Sequence, residues 1–165
     1  MKKVYFVRHA KSSWEDSSLN DIQRPLSSRG LRDAPFMAKL LKNKNVQADL
    51  IISSPANRAL TTAKYFADAM NIPHDEIAVK NIIYEAYPED VIRTIQKVDK
   101  EVDTLMVFGH NPTFTSIVNR YTEDYIPNVP TCGIVKIEAD INSWSEFSET
   151  TAMQTEFYFP KQYFS

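Results

Sequence analysis

At 165 residues the chain is long enough for one domain, residues 1–165, with a core that buries roughly two-thirds of its extended surface. Hydrophobic residues at 43% and charged residues at 24% are the balance of a globular protein, and a formal net charge of -2 with no Lys/Arg stripe argues against a nucleic-acid partner. One cysteine, Cys132, excludes an internal disulfide, and no segment approaches the roughly 18 apolar residues of a membrane span.

Met1-Lys2-Lys3 is basic, but only the apolar run Val4-Tyr5-Phe6-Val7 precedes Arg8. A signal peptide needs about 7–15 apolar residues, so the expected location is cytoplasmic, with no membrane partner. The run reads instead as a buried strand. It delivers Arg8 and His9 to a strand end, where α/β sheets bind ligands. Glu15 to Arg24 is polar and aperiodic, a loop anchored by Asp21, Arg24 and Pro25. Ser27 or Ser28 caps a helix whose inner face is Leu31, Ala34, Ala38 and Leu41, widened by Met37 and Leu40. Pro35 should kink that helix, or restart it with Asp33 as cap.

Asp49 to Ser53 is the second strand. Ser54-Pro55 reads as an N-cap followed by proline at the first helical position, and Arg58 stands in the first turn of the helix that follows. Ala59, Leu60, Ala63, Phe66, Ala67 and Met70 form its stripe. Ile77 to Tyr84 is a weak strand or extended segment. Glu85 to Asp90 is a loop and Asp90 to Val98 a helix. Thr104 to Phe108 is the third clear strand. Gly109-His110-Asn111-Pro112 follows, with Asn111 as cap and Pro112 opening a helix packed through Phe114, Ile117, Val118 and Tyr121. Ile126 to Cys132 is loop. Gly133 to Ala139 and Thr155 to Phe159 are strands expected to pair antiparallel, and the tail Pro160 to Ser165 is expected to be loose.

A strand, a turn and a helix thus recur three times with basic side chains at or just past the turn. Alternating strands and helices predict a parallel sheet, which brings Arg8, His9, Arg58 and His110 to one edge beside helix N-termini. Helix N-termini favour anions, and Arg forks match phosphate oxygens. With no fixed acidic partner in view, such a cluster calls for a dianion, and phosphate is the obvious one. Other phosphate chemistries lack their parts. Two well-placed histidines without clustered carboxylates fall short of a metal site, so neither metal nor other cofactor is expected. There is no GxxxxGK[ST] loop, and Cys132 has Glu138, not Arg, six residues on. Histidine itself remains as the nucleophile.

Arg8-His9-Ala10, Leu26-Ser27-Ser28-Arg29-Gly30, Ser54-Pro55 with Arg58 and Thr62-Ala63, and Gly109-His110-Asn111-Pro112 resemble the motifs of the histidine phosphatase (phosphoglycerate mutase-like) superfamily. They stand in the right order over residues 4 to about 122. The length and the wording Arg8 to Trp14 are most like the SixA branch of phosphohistidine phosphatases. The resemblance implies a single histidine-phosphatase-like domain with a three-layer α/β/α fold around a mainly parallel sheet. It implies a metal-independent hydrolase in which His9 is phosphorylated, Arg8, Arg58 and His110 hold the phosphoryl group, and an acid comes from mid-chain. Glu85 is the best candidate, with Glu89 and Asp90 as competitors. Two departures stand out. Ala10 replaces the usual glycine, and Glu15 stands where mutases carry a phosphate-contacting Asn, which argues against a mutase. Trp14 and Tyr87 are expected near the mouth of the site.

The expected function is removal of a phosphoryl group from phosphohistidine in a signalling or phosphotransfer protein, such as a histidine phosphotransfer domain. The alternatives are a phosphomonoesterase for small phosphate esters on the same fold, and a non-catalytic module that binds a phosphorylated partner.

Overall fold

The computed structural model describes residues 1–164. Six strands form one sheet: β1 (Lys2–Arg8), β2 (Leu50–Ser53), β3 (Ala78–Val79), β4 (Thr104–Gly109), β5 (Ile134–Ala139) and β6 (Ala152–Tyr158). Their order is β3-β2-β4-β1-β5-β6. The pairs β2–β3, β2–β4 and β1–β4 are parallel, whereas β5 runs antiparallel to both β1 and β6. The helices are α1 (Ser28–Asn43), α2 (Asn57–Ala69), α3 (Pro88–Gln96) and α4 (Thr113–Val118).

Alternation along β1 divides the core into two layers. Tyr5 and Val7 pack with Met37 and Leu41 of α1 and Phe66 of α2, while Val4 and Phe6 pack with Ile95 of α3 and Phe114 and Ile117 of α4. Buried on both faces, the strand must be apolar at nearly every position, which is why its sequence reads as a run. The chain leaves β1 toward β2 over one face and leaves β4 toward β5 over the other. The carboxyl ends of these adjacent strands are therefore a topological switch point, where a crevice opens.

Several local expectations shift. Ser27 is the N-cap of α1, its hydroxyl accepting from the Gly30 N–H at 3.2 Å. Pro35 lies inside one continuous helix. It is exposed, so the backbone bond it cannot donate is missing on the solvent side, where water serves instead. Asp33 is no cap; it is buried and paired with Arg32. Leu31 faces solvent, at 49% exposure, and Gly30 and Met37 take the inner face. Helix α2 starts at Asn57, not at Pro55, because Ser54 turns its hydroxyl to the Ala56 N–H at 3.1 Å. Helix α4 likewise begins at Thr113, with Pro112 rather than Asn111 at the N-cap position, and the Asn111 Oδ1 accepts from the Thr115 N–H at 3.1 Å. Only Ala78–Val79 of the weak third segment pairs as strand. The tail is not loose through Phe164. Phe164 stacks on Phe36 at 4.7 Å between ring centroids and lies 4.1 Å beneath the Arg32 guanidinium. Ser165 lies outside the described residues.

Helix α1 approaches the loop after β1 so closely that a Cβ on Gly30 would stand 2.2 Å from the Lys11 carbonyl oxygen. That carbonyl also accepts from the Ser27 N–H at 2.8 Å, so neither side can yield easily. Gly30→Ala is expected to cost about 1–3 kcal/mol, the range for forced overpacking, read as a lowered urea midpoint at unchanged m-value. An unaltered midpoint would mean that the loop moves freely.

Candidate active site

The crevice at the ends of β1 and β4 is built on the backbone of His9. Its N–H donates to the Gly109 carbonyl at 3.1 Å, and its carbonyl accepts from the Cys132 N–H at 3.0 Å. The residue is thus fixed from the β4 side and from the turn before β5. That turn places Cys132 at φ 58° and needs Gly133, whose Cβ would meet the Pro130 carbonyl oxygen at 2.8 Å. Cys132 itself is fully buried, and burial pushes its thiol pKa up. Ala10 is accommodated without strain. It is not among the residues with positive φ, and its N–H donates to Thr62 Oγ1 at 3.0 Å. Thr62 Oγ1 in turn donates to the Arg58 carbonyl at 2.7 Å, tying the first turn of α2 to the β1 end.

The imidazole of His9 is oriented by its own neighbour. Nδ1 lies 2.7 Å from the Ala10 carbonyl oxygen. A carbonyl only accepts, so Nδ1 carries the proton and Nε2 keeps its lone pair. Burial, followed by the charges of neighbouring groups, pushes the His9 pKa down to about 3. His110, whose ring centroid is 5.3 Å away, is lowered to about 4, mainly by burial and then by Arg58. Both rings are therefore neutral near pH 7, the nucleophilic form for His9. His110 Nε2 shares a 2.7 Å hydrogen bond with Ser54 Oγ. Arg8 donates from Nη1 to the Val129 carbonyl at 3.0 Å. Arg8 Nε and His110 Nδ1 are buried and have no hydrogen-bond partner among the described residues. Such groups are rare and call for a partner, and a phosphoryl oxygen would accept from Arg8 Nε.

Arg58 corrects one expectation. The cluster does have a fixed acidic partner, Asp21. Arg58 donates from Nη1 to the Asp21 carbonyl oxygen at 2.7 Å and from Nη2 to its Oδ2 at 2.9 Å. The same carboxylate accepts from Arg24 Nη1 at 3.1 Å and from the Tyr84 hydroxyl at 2.6 Å. The Tyr84 hydroxyl, with Arg58 and Arg24 behind it, holds the Asp21 pKa down to about 2. Asp21 is thus ionised near neutrality and carries no proton to donate. A guanidinium has five N–H donors, so Arg58 keeps three for another acceptor. From the sequence Asp21 is only a loop anchor, Ser54 only an N-cap and motif residue and Tyr84 only the end of an extended segment; their contacts with one another, Arg58 and His110 come from the fold.

A cavity of about 400 Å³ opens beside these groups, lined by Asp21, Arg58, Tyr84, Glu85, Tyr87 and His110 among others. Glu85 stands on its wall at φ 56°, an uncommon backbone state for a residue other than glycine. Its loop is held by a hydrogen bond from Thr113 Oγ1 to the Ala86 carbonyl at 2.5 Å. No side-chain hydrogen bond or ion pair among the described residues engages the Glu85 carboxylate. The competing acids are occupied: Glu89 pairs with Arg120 at 2.7 Å and Asp90 with Arg93 at 2.6 Å. Tyr87 is at the mouth as expected. Trp14 is not; it is exposed and lies under the Arg24 guanidinium. Glu15 is also exposed, off the cavity wall. Among the described residues no three of His, Cys, Asp and Glu cluster as metal ligands, and no helix is long and apolar enough to cross a membrane.

The lowered histidine pKa values make stability pH-dependent. An unfolded His titrates near 6.5, while His9 and His110 stay neutral in the fold down to about 3 and about 4. Below pH ~6.5 the unfolded chain takes up protons that the folded one refuses, so stability falls as pH drops from ~6.5 toward 4. The Asp21 contribution is lost only at lower pH. Urea titrations from pH 7.5 to 4.5 should show this decline, and a His9→Asn/His110→Asn double variant should flatten it. Equal slopes in the two proteins would place the titrating groups elsewhere.

The sequence model of the histidine phosphatase superfamily (branch 1) matches residues 4–80. An uncharacterized chloroplastic protein of Arabidopsis thaliana is 29% identical over 157 residues, covering 88% of this chain and 70% of its own. The phosphohistidine phosphatase SixA of Escherichia coli is 31% identical over 71 residues, 43% of each chain. A structure assigned to SixA of Agrobacterium tumefaciens superposes with a TM-score of 0.80 at 27% identity, over 96% of this chain and 98% of that one. The matched segment carries Arg8, His9 and Arg58, and the shared fold extends over the strand end that bears His110. Over residues 4–80 the chain matches the histidine phosphatase superfamily (branch 1), and SixA phosphohistidine phosphatases are among its structural relatives.

Proposed function

We propose that the protein is a phosphatase that takes the phosphoryl group from a phosphohistidine on a signalling or phosphotransfer protein, through a covalent intermediate on His9. The observation that carries the reading is the His9 imidazole. Its proton is committed at Nδ1 to the Ala10 carbonyl, so the Nε2 lone pair is available beside Arg8, Arg58 and His110.

In the first step His9 Nε2 forms a bond to phosphorus as the bond from phosphorus to the substrate nitrogen breaks. Charge on the equatorial oxygens falls to Arg8, to the three uncommitted N–H groups of Arg58 and to His110. In the second step water attacks the phosphorus, the bond from phosphorus to His9 Nε2 breaks and returns its electron pair to the neutral imidazole, the water proton passes to solvent, and inorganic phosphate leaves. Asp21 has a supporting part. It fixes one edge of the Arg58 fork, so the other edge meets the phosphoryl group already oriented. Two side chains converging on His9 carry permanent charge and need no metal to balance the phosphoryl oxygens, and chelator should leave the rate unchanged. Turnover of phosphoramidate and a phosphohistidine protein should disappear in His9→Ala while the fold persists by circular dichroism. Acid-labile phosphate on His9 should be trapped by rapid quench. Substantial activity in His9→Ala would overturn the mechanism.

One observation favours the alternative, a small-ester phosphatase: Glu85 lines the cavity with its carboxylate unengaged. An alkoxide is a poor leaving group, and a general acid supplies roughly 10²–10⁴-fold. Imidazole, whose conjugate acid has a pKa of about 6.5, can be protonated before the bond breaks. Glu85→Gln should therefore lower kcat/KM for an ester by about 100-fold or more and for phosphohistidine by far less. Wild-type preference for esters, lost selectively in Glu85→Gln, would establish the alternative. An equal fall on both substrates would remove Glu85 as the proton donor.

A further inference from the structure

A second and larger groove, about 740 Å³, has Arg8 in its wall and shares no lining residue with the cavity beside Glu85. Its walls carry five cations, Arg8, Lys11, Arg29, Arg32 and Lys161, against a single carboxylate, Asp33. This is a concentrated positive surface on a chain whose formal net charge is -2. The two wings of the site thus differ in sign: the cavity by His110 carries Asp21 and Glu85, while the groove by Arg8 is cationic.

The groove is organised rather than merely charged. Asp33 is 1% exposed and holds Arg32 Nη2 at 2.8 Å and Arg29 Nε at 3.9 Å. Arg29 Nη2 also donates to Thr131 Oγ1 at 3.1 Å, and the Arg32 guanidinium stacks over Phe164. One buried carboxylate and one aromatic ring thereby fix two guanidinium planes, which keep N–H groups in excess of those engaged. Lys11 and Lys161 are exposed and make no side-chain hydrogen bond or ion pair among the described residues. The floor includes Pro130, Phe159 and Phe164, so the groove offers apolar contact between its charges. A compact polyphosphate would use only the cations. An extended polypeptide with acidic side chains uses both.

We propose that this groove is the docking surface for an acidic segment of the phosphorylated substrate protein, seated so that its phosphoryl group reaches past Arg8 to His9. The inference rests on the phosphohistidine reading for the identity of the segment's owner but not for the groove's affinity. The test compares wild type with Lys11→Glu/Lys161→Glu, a reversal that leaves no buried group unpaired. Three substrates are used: a histidine-phosphorylated peptide flanked by Asp and Glu, the same peptide flanked by Asn and Gln, and phosphoramidate. Reversal should lower kcat/KM for the acidic peptide by about tenfold, with the loss shrinking at high salt, and should change the other two by less than about twofold. An equal change on all three substrates, or none, overturns the inference.

Fluorescence anisotropy with the unphosphorylated acidic peptide separates the two claims. If neither phosphopeptide nor phosphoramidate turns over but the acidic peptide still binds wild type and not the reversed variant, the phosphohistidine reading fails and the groove stands. If inorganic tripolyphosphate binds in a reversal-sensitive way while the acidic peptide does not, the groove is a small-polyanion site and the docking inference fails.

Discussion

The site depends on how the backbone of His9 is held. Hydrogen bonds to Gly109 and from Cys132 fix the residue between β4 and the turn before β5, and the Ala10 carbonyl fixes the ring tautomer. Both kinds of restraint come from backbone groups, which do not titrate and have little freedom to move. An imidazole held this way needs no carboxylate beside it to choose which nitrogen keeps its lone pair. Burial then keeps the imidazole neutral, and neutrality preserves the lone pair. The geometry in turn relies on glycine where chain segments meet closely, at Gly133 in the turn and at Gly30 under Lys11.

Electrostatics around His9 is a balance between a fixed excess of positive charge and the means of tolerating it. Burial first, and the nearby guanidinium charges after it, keep the two histidines neutral. Asp21 offsets part of the excess, but through one edge of the Arg58 fork and from a partly exposed position, where solvent screens it. The Tyr84 hydroxyl shares that carboxylate, which links the turn before Glu85 to the loop before α1. The result is a pocket whose walls are braced by ion pairs while the donors nearest His9 remain available to an anion.

The same economy extends to α1. Asp33 is buried on α1 beside the buried Ala34 and Met37, and it is tolerated because Arg32 and Arg29 on the same helix reach it. The arrangement costs desolvation of one carboxylate. In exchange it orders two arginines next to the site, where an unrestrained pair would sample many rotamers. The C-terminal aromatic residues complete that surface by stacking on Phe36 and under Arg32.

Much of this was legible in the residues. The apolar runs of β1, β2 and β4 and the stripes of α2 and α4 are local patterns, and alternation of strand and helix dictates that Arg8, His9, Arg58 and His110 share one sheet edge. Motif wording added the family. What could not be read were the contacts that depend on two loops arriving at one place. Asp21 meets Arg58 from 37 residues away and Tyr84 from 63, and Ser54 meets His110 from 56. None of these pairs has a period or spacing that marks it. The expectation of an unpartnered cationic cluster failed for that reason, as did the loose tail, whose aromatic residues find Phe36 only once α1 is in place. Periodicity reports which face of an element is apolar, because burial repeats with the geometry of the helix or strand. Which polar groups then meet across the surface is set by how the finished elements bring their loops together, and that is a property of the tertiary structure.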